Sequence, residues 1–579
     1  MQKDIIFEII TNVCKQTMKG KLITSALFFA LVAATTFAQQ NNNTSSLKLT
    51  TFLNTPTLEL AAPNMDAVRK EDEERNKNGQ LYRIGVFGYT HITTLNSGVW
   101  TSTPTGRVWQ LHVKYAGAEA LSFLFETFKI YDQTTVAVFN NEGKKLHKTL
   151  TKEDVLDHFQ QNIALCFGDE MTLQINEPLG SKPSEILIDR IIYNYRSTGN
   201  PTIAKINESD NCEINVNCSP VGDTWQDEKN GVARVYVVDP AGAGYCSGSL
   251  VNNTSHDCKP LFLTALHCGV DATTSNFNQW RFYFRYEAVG CTSPSAAGTL
   301  DDYYITGCVK LASSNDGGGD TGSDFLLVQL GTTANEAATV NKLKLSTFGA
   351  YWNGWDANST ATTGGAGIHH PAGDIKKIST FSGNTTSSGW NGNGLQSHWR
   401  ITWTSNSNGH GVTEGGSSGS PLFNSSNGRI IGTLTGGGSY CTALSSPDYY
   451  GKVAYHWTSN GTPANEQLKT YLDPLNTGVL VYNGSYNPCS GAGIEENELA
   501  SLIGLYPNPA SNNITLDLSA LEGQEFVVTV VDITGKIMHE RRLTKSEKTM
   551  LSVADFAKGL YFIRIDTGNT LVTKEFIKE

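Results

Sequence analysis

Charge is scarce in this chain. Only 17% of its 579 residues are Asp, Glu, Lys or Arg, and no stretch gathers Lys and Arg into a patch. With a net charge of −11, this excludes a nucleic-acid binder held by phosphate contacts. Long apolar runs are missing too. The run from Leu22 to Phe37 is too short and too Thr-rich to favour a membrane span, and no other stretch could cross a bilayer. The adjacent His369 and His370 have neither HExxH nor Cys-pair spacing around them, so they read as structural, and no metal or organic cofactor is expected. What the chain has in quantity is glycine, 56 residues of it, with plentiful Ser, Thr and Asn. That composition reads as an all-β, loop-rich extracellular protein, and the length calls for two to four domains.

The N-terminal apolar run follows Met18-Lys19-Gly20-Lys21 and closes on Thr36-Phe37-Ala38. A basic start, an apolar centre and a small-residue end make residues 1–38 a signal peptide, with Met18 as a candidate true start. The charged run Lys70–Arg75 reads as a solvated helix or linker. From Val99 to Tyr195 the pattern turns to β: Val108–Val113 alternates apolar and polar residues, and Ser122–Glu126, Thr135–Phe139, Met171–Ile175 and Ile186–Tyr195 follow as further strands of a small β-sandwich.

Three stretches carry chemistry. Glu414-Gly415-Gly416-Ser417-Ser418-Gly419-Ser420-Pro421 is a small-residue loop that exposes a hydroxyl and leaves backbone N–H groups free beside it. Phe262–Cys268 is a short apolar strand ending on His267 and Cys268, and Asp324 opens the apolar run Phe325–Leu330. Each alone has an ordinary structural reading. Together, in the order His, Asp, Ser and widely spaced, they match one chain order of the serine triad. Asp320, in a Gly-rich loop, is the alternative acid.

With these flanks, residues 206–485 resemble a trypsin-fold serine protease of the bacterial lysyl endopeptidase type. The resemblance is carried by Cys246–Thr254, Leu263–Gly269, Ser323-Asp324-Phe325, Ile368–Pro371, Gly411–Glu414, Ser417–Pro421 and Tyr450–Val453. It implies two six-stranded β-barrels with the site between them, and no cofactor. His267 is then the general base, Asp324 its orienting carboxylate and Ser418 the nucleophile, with the N–H groups of Gly416 and Ser418 as oxyanion hole. Position 412, where animal trypsins place their specificity aspartate, is Val412. In the lysyl endopeptidase family an aspartate after the nucleophile strand serves instead, and it matches Asp448, with Glu414 a weaker alternative. Trp390 falls where the family has a cleft tryptophan, and Gly436, Gly437 and Gly438 form the edge for the substrate backbone. Thr435 stands where the family has histidine, which leaves Lys against Arg open. Ser417 replaces the Asp of animal trypsins, so activation should come from removing the N-terminal domain rather than from a new buried ion pair.

The chain has 11 cysteines. The resemblance implies Cys212–Cys441, Cys218–Cys291 and Cys246–Cys268. Cys258 and Cys308, left over in the same domain, are expected to pair with each other, with Cys166 and Cys489 free. Residues 39–205 are expected to be a propeptide, with cleavage after Lys205 as one self-processing route. After a linker at 486–501, residues 502–579 resemble a type A sorting domain of the type IX secretion system, on Tyr506-Pro507-Asn508-Pro509-Ala510, Gly559-Leu560-Tyr561 and Lys574–Ile577. The reading is a secreted or surface endopeptidase, acting as a monomer on proteins or peptides and cutting after Lys, with Arg left open. Its rival is a catalytically inactive trypsin-fold homologue serving as a cell-surface adhesin.

Overall fold

The computed structural model describes residues 49, 55–77, 79–196, 208–294, 303–489, 503–519, 526–533, 536–543, 548–566 and 571–579. The signal segment, Lys205 and the linker beyond 489 lie outside them. The described chain is β throughout, with a few short helices.

The protease segment holds two sheets. In the first, six strands run in the order Cys308–Ser313, Leu326–Leu330, Leu261–Thr264, Gly242–Leu250, Val232–Asp239 and Arg281–Tyr283, with Tyr304–Thr306 added at the edge. In the second, Lys377–Phe381, Gly365–His369, Pro421–Asn424, Ile430–Gly437, Asp448–Lys452 and His398–Ile401 follow one another, extended by the short edges Ile214–Asn215 and Thr386–Ser388. The strands are short and buried on most positions because each half closes its apolar face on its own core. The second half packs Trp399, Trp403, Val412, Leu422 and Tyr450 beneath the Ser418 loop. Burial of such large side chains stabilises by about 1.5–3 kcal/mol each and holds the loop on a rigid base.

The N-terminal segment is a two-sheet unit, but it is not separate from the protease. One sheet contains Thr57–Glu59, Val99–Thr103, Gly106–Lys114, Thr135–Asn140 and Glu170–Pro178. The other, Tyr82–Thr93, Glu185–Asn194, Ala120–Lys129 and Gln161–Phe167, continues directly into the first protease sheet, because Tyr82–Thr93 pairs with Gly242–Leu250. One apolar core runs through both units: Leu81, Ile84, Leu124 and Ile192 pack with Tyr236, Tyr245 and Phe282. The charged run forms the helix Met65–Lys77, yet it is not simply solvated. Asp72 is buried and accepts from Arg83 Nε at 2.8 Å, Tyr195 Oη at 2.6 Å and Arg196 at 2.8 Å. Once buried, that carboxylate requires its cations.

The C-terminal unit has a three-stranded and a four-stranded sheet around its own core, including Ile514, Val530, Ile563 and Phe576.

Among the described residues there are four disulfides: Cys212–Cys441, Cys218–Cys291, Cys246–Cys268 and Cys258–Cys489. The expected Cys258–Cys308 pair is wrong. Cys308 is a free, buried thiol inside the first core, where burial holds it well above its ordinary pKa. Cys258 instead faces the segment that returns after the second sheet. Cys489 is therefore not free, whereas Cys166 is free and buried. Sequence adjacency to a domain hid a partner lying 231 residues away.

Candidate active site

His267 and Asp324 meet at the end of the first sheet. Leu261–Thr264 pairs with Leu326–Leu330 in antiparallel register, Thr264 opposite Leu326, so the residues just beyond each strand converge. His267 Nδ1 lies 2.7 Å from Asp324 Oδ2, and the His267 backbone N–H donates to Oδ1 at 2.9 Å. The carboxylate thus fixes both the ring and its backbone. Asp324 adopts φ +58°, a conformation that needs support from around it. The support is Asp316. Its Oδ2 accepts the Asp324 N–H at 2.9 Å, and its Oδ1 gathers the N–H groups of Gly318 and Gly319. Asp320, the alternative acid, is exposed and takes no part.

Burial opposes a positive charge on His267, but Asp324, helped by Asp316, outweighs it and raises the imidazole above the usual histidine pKa of 6.5.

The Ser418 loop approaches from the second sheet. Gly416 at φ +99° and Gly419 at φ +78° flank it, and a Cβ on Gly419 would lie 2.1 Å from Thr264 Oγ1. Only glycine allows that turn and that approach. The Ser418 carbonyl accepts from Ser247 N–H at 2.8 Å, and the Gly416 carbonyl accepts from Ser247 Oγ at 2.9 Å. Among the described residues, no hydrogen bond uses the N–H of Gly416 or Ser418. The three serines of the loop separate clearly. Ser418 is partly exposed, whereas Ser417 and Ser420 are buried. Ser417 Oγ pairs with His369 Nδ1 at 2.8 Å, and the other His369 nitrogen meets Ser379 Oγ at 3.1 Å. Burial, with Lys377 nearby, pushes His369 down to about 3, so this prop is neutral. His370 is likewise buried and held by the Asp374 carbonyl at 2.8 Å.

Asp448 is fully buried beside the end of the Ile430–Gly437 strand. Its Oδ2 accepts from Trp403 Nε1 at 2.7 Å, Thr413 Oγ1 at 2.7 Å and Ser439 Oγ at 2.6 Å, and its Oδ1 from Ser439 N–H at 3.2 Å. Burial raises its pKa, and these donors counter it. Gly437 lies opposite Asp448, and a Cβ there would be 2.0 Å from Oδ1. Trp390 stands half-buried over Gly436 and against Tyr449, ring centroids 5.6 Å apart, while Gly437 and Gly438 are exposed. Glu414 points elsewhere: its Oε1 takes the Asp210 N–H at 2.9 Å, and burial raises its carboxyl to about 7.

Residues 206–451 match the family described as lysyl endopeptidase, C-terminal domain, and residues 504–579 match the secretion system C-terminal sorting domain. A lysyl endopeptidase of Pseudomonas aeruginosa is 26% identical over 418 residues, covering 68% of this chain and 83% of the relative. The chain is a serine endopeptidase, similar over residues 206–451 to the lysyl endopeptidases. The sorting domain marks the protease for export across the outer membrane, to the medium or the cell surface. Among solved structures, the protease Anisep of Arthrobacter nicotinovorans is 19% identical, covering 38% of this chain and 90% of its own, with a TM-score of 0.27. The thermostable serine protease AL20 from an extremophilic microorganism is 18% identical, covering 41% and 98%, with a TM-score of 0.29.

Sequence reasoning passed over several residues of this site. Asp316 was signalled only by the Asp-Gly-Gly-Gly run that it caps. His398 had no signal: it sits on the neighbouring strand, yet its Nε2 meets Thr435 Oγ1 at 3.0 Å and its ring lies 6.3 Å from Trp390. The protease therefore has an imidazole next to Thr435. Burial lowers His398 to about 4. Behind Asp324, Ser323 Oγ contacts His456 Nδ1 at 2.7 Å. The clusters Cys246–His267–Cys268 and Asp210–Glu414–Cys441 offer no thiolate to a metal, since those cysteines are in disulfides.

Proposed function

We propose that Ser418, His267 and Asp324 form the triad of this endopeptidase and that Asp448 directs it to cut after Lys. The observation that carries the triad is the 2.7 Å His267–Asp324 contact beside the one partly exposed serine of a loop whose Gly416 and Ser418 N–H groups are unused. Ser418 Oγ attacks the scissile carbonyl, and His267 Nε2 takes its proton. The two N–H groups receive the oxyanion, and the imidazolium returns the proton to the leaving amine. Water then repeats the sequence on the acyl-enzyme. Asp324 keeps the proton on Nδ1, so that Nε2 is the basic nitrogen. For specificity, Oδ1 of Asp448 has one donor among the described residues, and it faces Gly437, where the missing side chain leaves room for an ammonium to approach. The reading divides the chain into a signal at 1–38, a propeptide at 39–205 removed on activation, the protease at 206–485 and a sorting domain from 502 onward, and the matches at 206–451 and 504–579 support the last two.

The pH profile tests the triad. The base works only when neutral, and Asp324 raises its pKa, so kcat/KM should climb with pH along a limb whose midpoint lies above 6.5. Asp324→Asn removes the raising charge. The limb should move to lower pH while kcat falls by about 10⁴-fold. A profile whose acid limb does not move in this variant would exclude His267 as the group titrating there. A fluorophosphonate probe should label Ser418, which an inactive adhesin would not allow.

A further inference from the structure

We infer that the N-terminal unit occupies the leaving-group side of the cleft by strand pairing, in competition with the substrate residues that follow the scissile bond, and that it leaves the acyl side open. This rests on the proposed triad, because the triad defines the two sides. His267 must face the leaving amine, and Cys268 beside it is tied to Cys246 on the Gly242–Leu250 strand. That strand also donates from Ser247 to the Ser418 carbonyl. It is therefore the wall along which the leaving portion of an extended peptide runs. Asp448 and Gly436 lie across the cleft on the second sheet, with Trp390 packed over Gly436.

The Gly242–Leu250 strand has one edge fully paired with Val232–Asp239. Its other edge meets Leu261–Thr264 only at Ser249 and Leu250. Farther back, at Ala243, Gly244 and Tyr245, the partners come from the N-terminal unit: Gly85, Arg83 and Tyr82. The approach is tight, since a Cβ on Gly244 would lie 2.6 Å from the Tyr82 carbonyl. The Tyr82 ring then reaches the catalytic loop itself, and a Cβ on Gly415 would be 2.5 Å from it. Gly415 directly precedes Gly416, whose N–H is a proposed oxyanion donor. The seat is anchored by Arg83, paired with buried Asp72 and donating to the Ala241 carbonyl at 3.4 Å, and by Arg75 on Asp239 at 3.4 Å. Among the described residues, none of the N-terminal unit hydrogen-bonds to or stacks on Trp390, Thr435, Gly436 or Asp448. With the unit removed, Ala243–Tyr245 becomes an unpaired strand edge, which an extended peptide backbone satisfies. Both cannot be there at once.

The test uses the full chain carrying Lys205→Gln, confirmed intact by mass, beside the processed enzyme. Two substrates share the same residues up to Lys. One ends there as a p-nitroanilide, and the other continues for four more residues. The unprocessed chain should hydrolyse the anilide within about threefold of the processed enzyme, and the longer peptide about thirtyfold more slowly or worse. Tyr82→Ala should narrow that gap. Equal slowing of both substrates, or slowing of neither, overturns the inference. Failure of the nucleophile reading shows separately, as absence of fluorophosphonate labelling at Ser418 in the processed enzyme.

Discussion

Replacing Ser418 with alanine should lower kcat on peptide substrates by about 10⁴–10⁶-fold and leave the folded protein's stability within about 0.5 kcal/mol of the parent. The two halves of this expectation come from the same geometry. Ser418 is partly exposed, and among the described residues its side chain makes no hydrogen bond, whereas Ser417 and Ser420 are buried. Ser417→Ala is the informative control. It removes a buried hydroxyl from His369 and should destabilise by about 1–3 kcal/mol, with a much smaller loss of kcat. Active-site titration, steady-state rates and thermal unfolding of the two variants separate nucleophile from prop. Should Ser417→Ala abolish turnover while Ser418→Ala does not, the assignment within the loop is reversed.

Asp448→Asn should lower kcat/KM for substrates with Lys before the scissile bond by about 10²–10⁴-fold, with little change for substrates carrying a neutral residue there. The range follows from the loss of about 3–5 kcal/mol when one partner of a buried charge pair is removed, at 1.4 kcal/mol per factor of ten. The carboxylate has no exposed surface and four donors, so a purely structural role is a definite rival. The two roles part on substrate dependence. A tether for Trp403, Thr413 and Ser439 would, when neutralised, lower stability and slow every substrate alike. A cation site would lose discrimination selectively. Asp448 must be ionised to bind an ammonium, and burial raises its pKa, so acid should weaken Lys binding from a higher pH than an exposed aspartate would give.

Much of the candidate site is legible in the chain because its residues sit in short, recognisable flanks. The apolar strand before His267, the small-residue turn around Ser418 and the Asp324 start each carry local physics that a sequence displays. What stayed hidden depends on contacts that only the folded chain creates. His398 reaches Thr435 across adjacent strands, and Asp316 props Asp324 from a glycine loop. Cys258 finds Cys489 rather than the nearer Cys308. The N-terminal strands were legible one by one from their alternation. Their pairing with the protease was not, since an edge strand of one unit and the open edge of another look the same as any half-buried strand. The buried Asp72 within a charged helical run was invisible for the same reason, because its partner Arg83 lies on the strand that docks.

The most direct measurement is the cleavage-site profile of the purified mature enzyme on a denatured proteome, beside the Ser418→Ala variant. Cuts confined to bonds after Lys, and absent from the variant, are the expected result. Cuts after Lys and Arg alike would keep the triad and show that the site around Thr435 and His398 accepts both cations. Cuts with no basic preference, or activity surviving in the variant, would contradict the assignment of Asp448 or of the nucleophile.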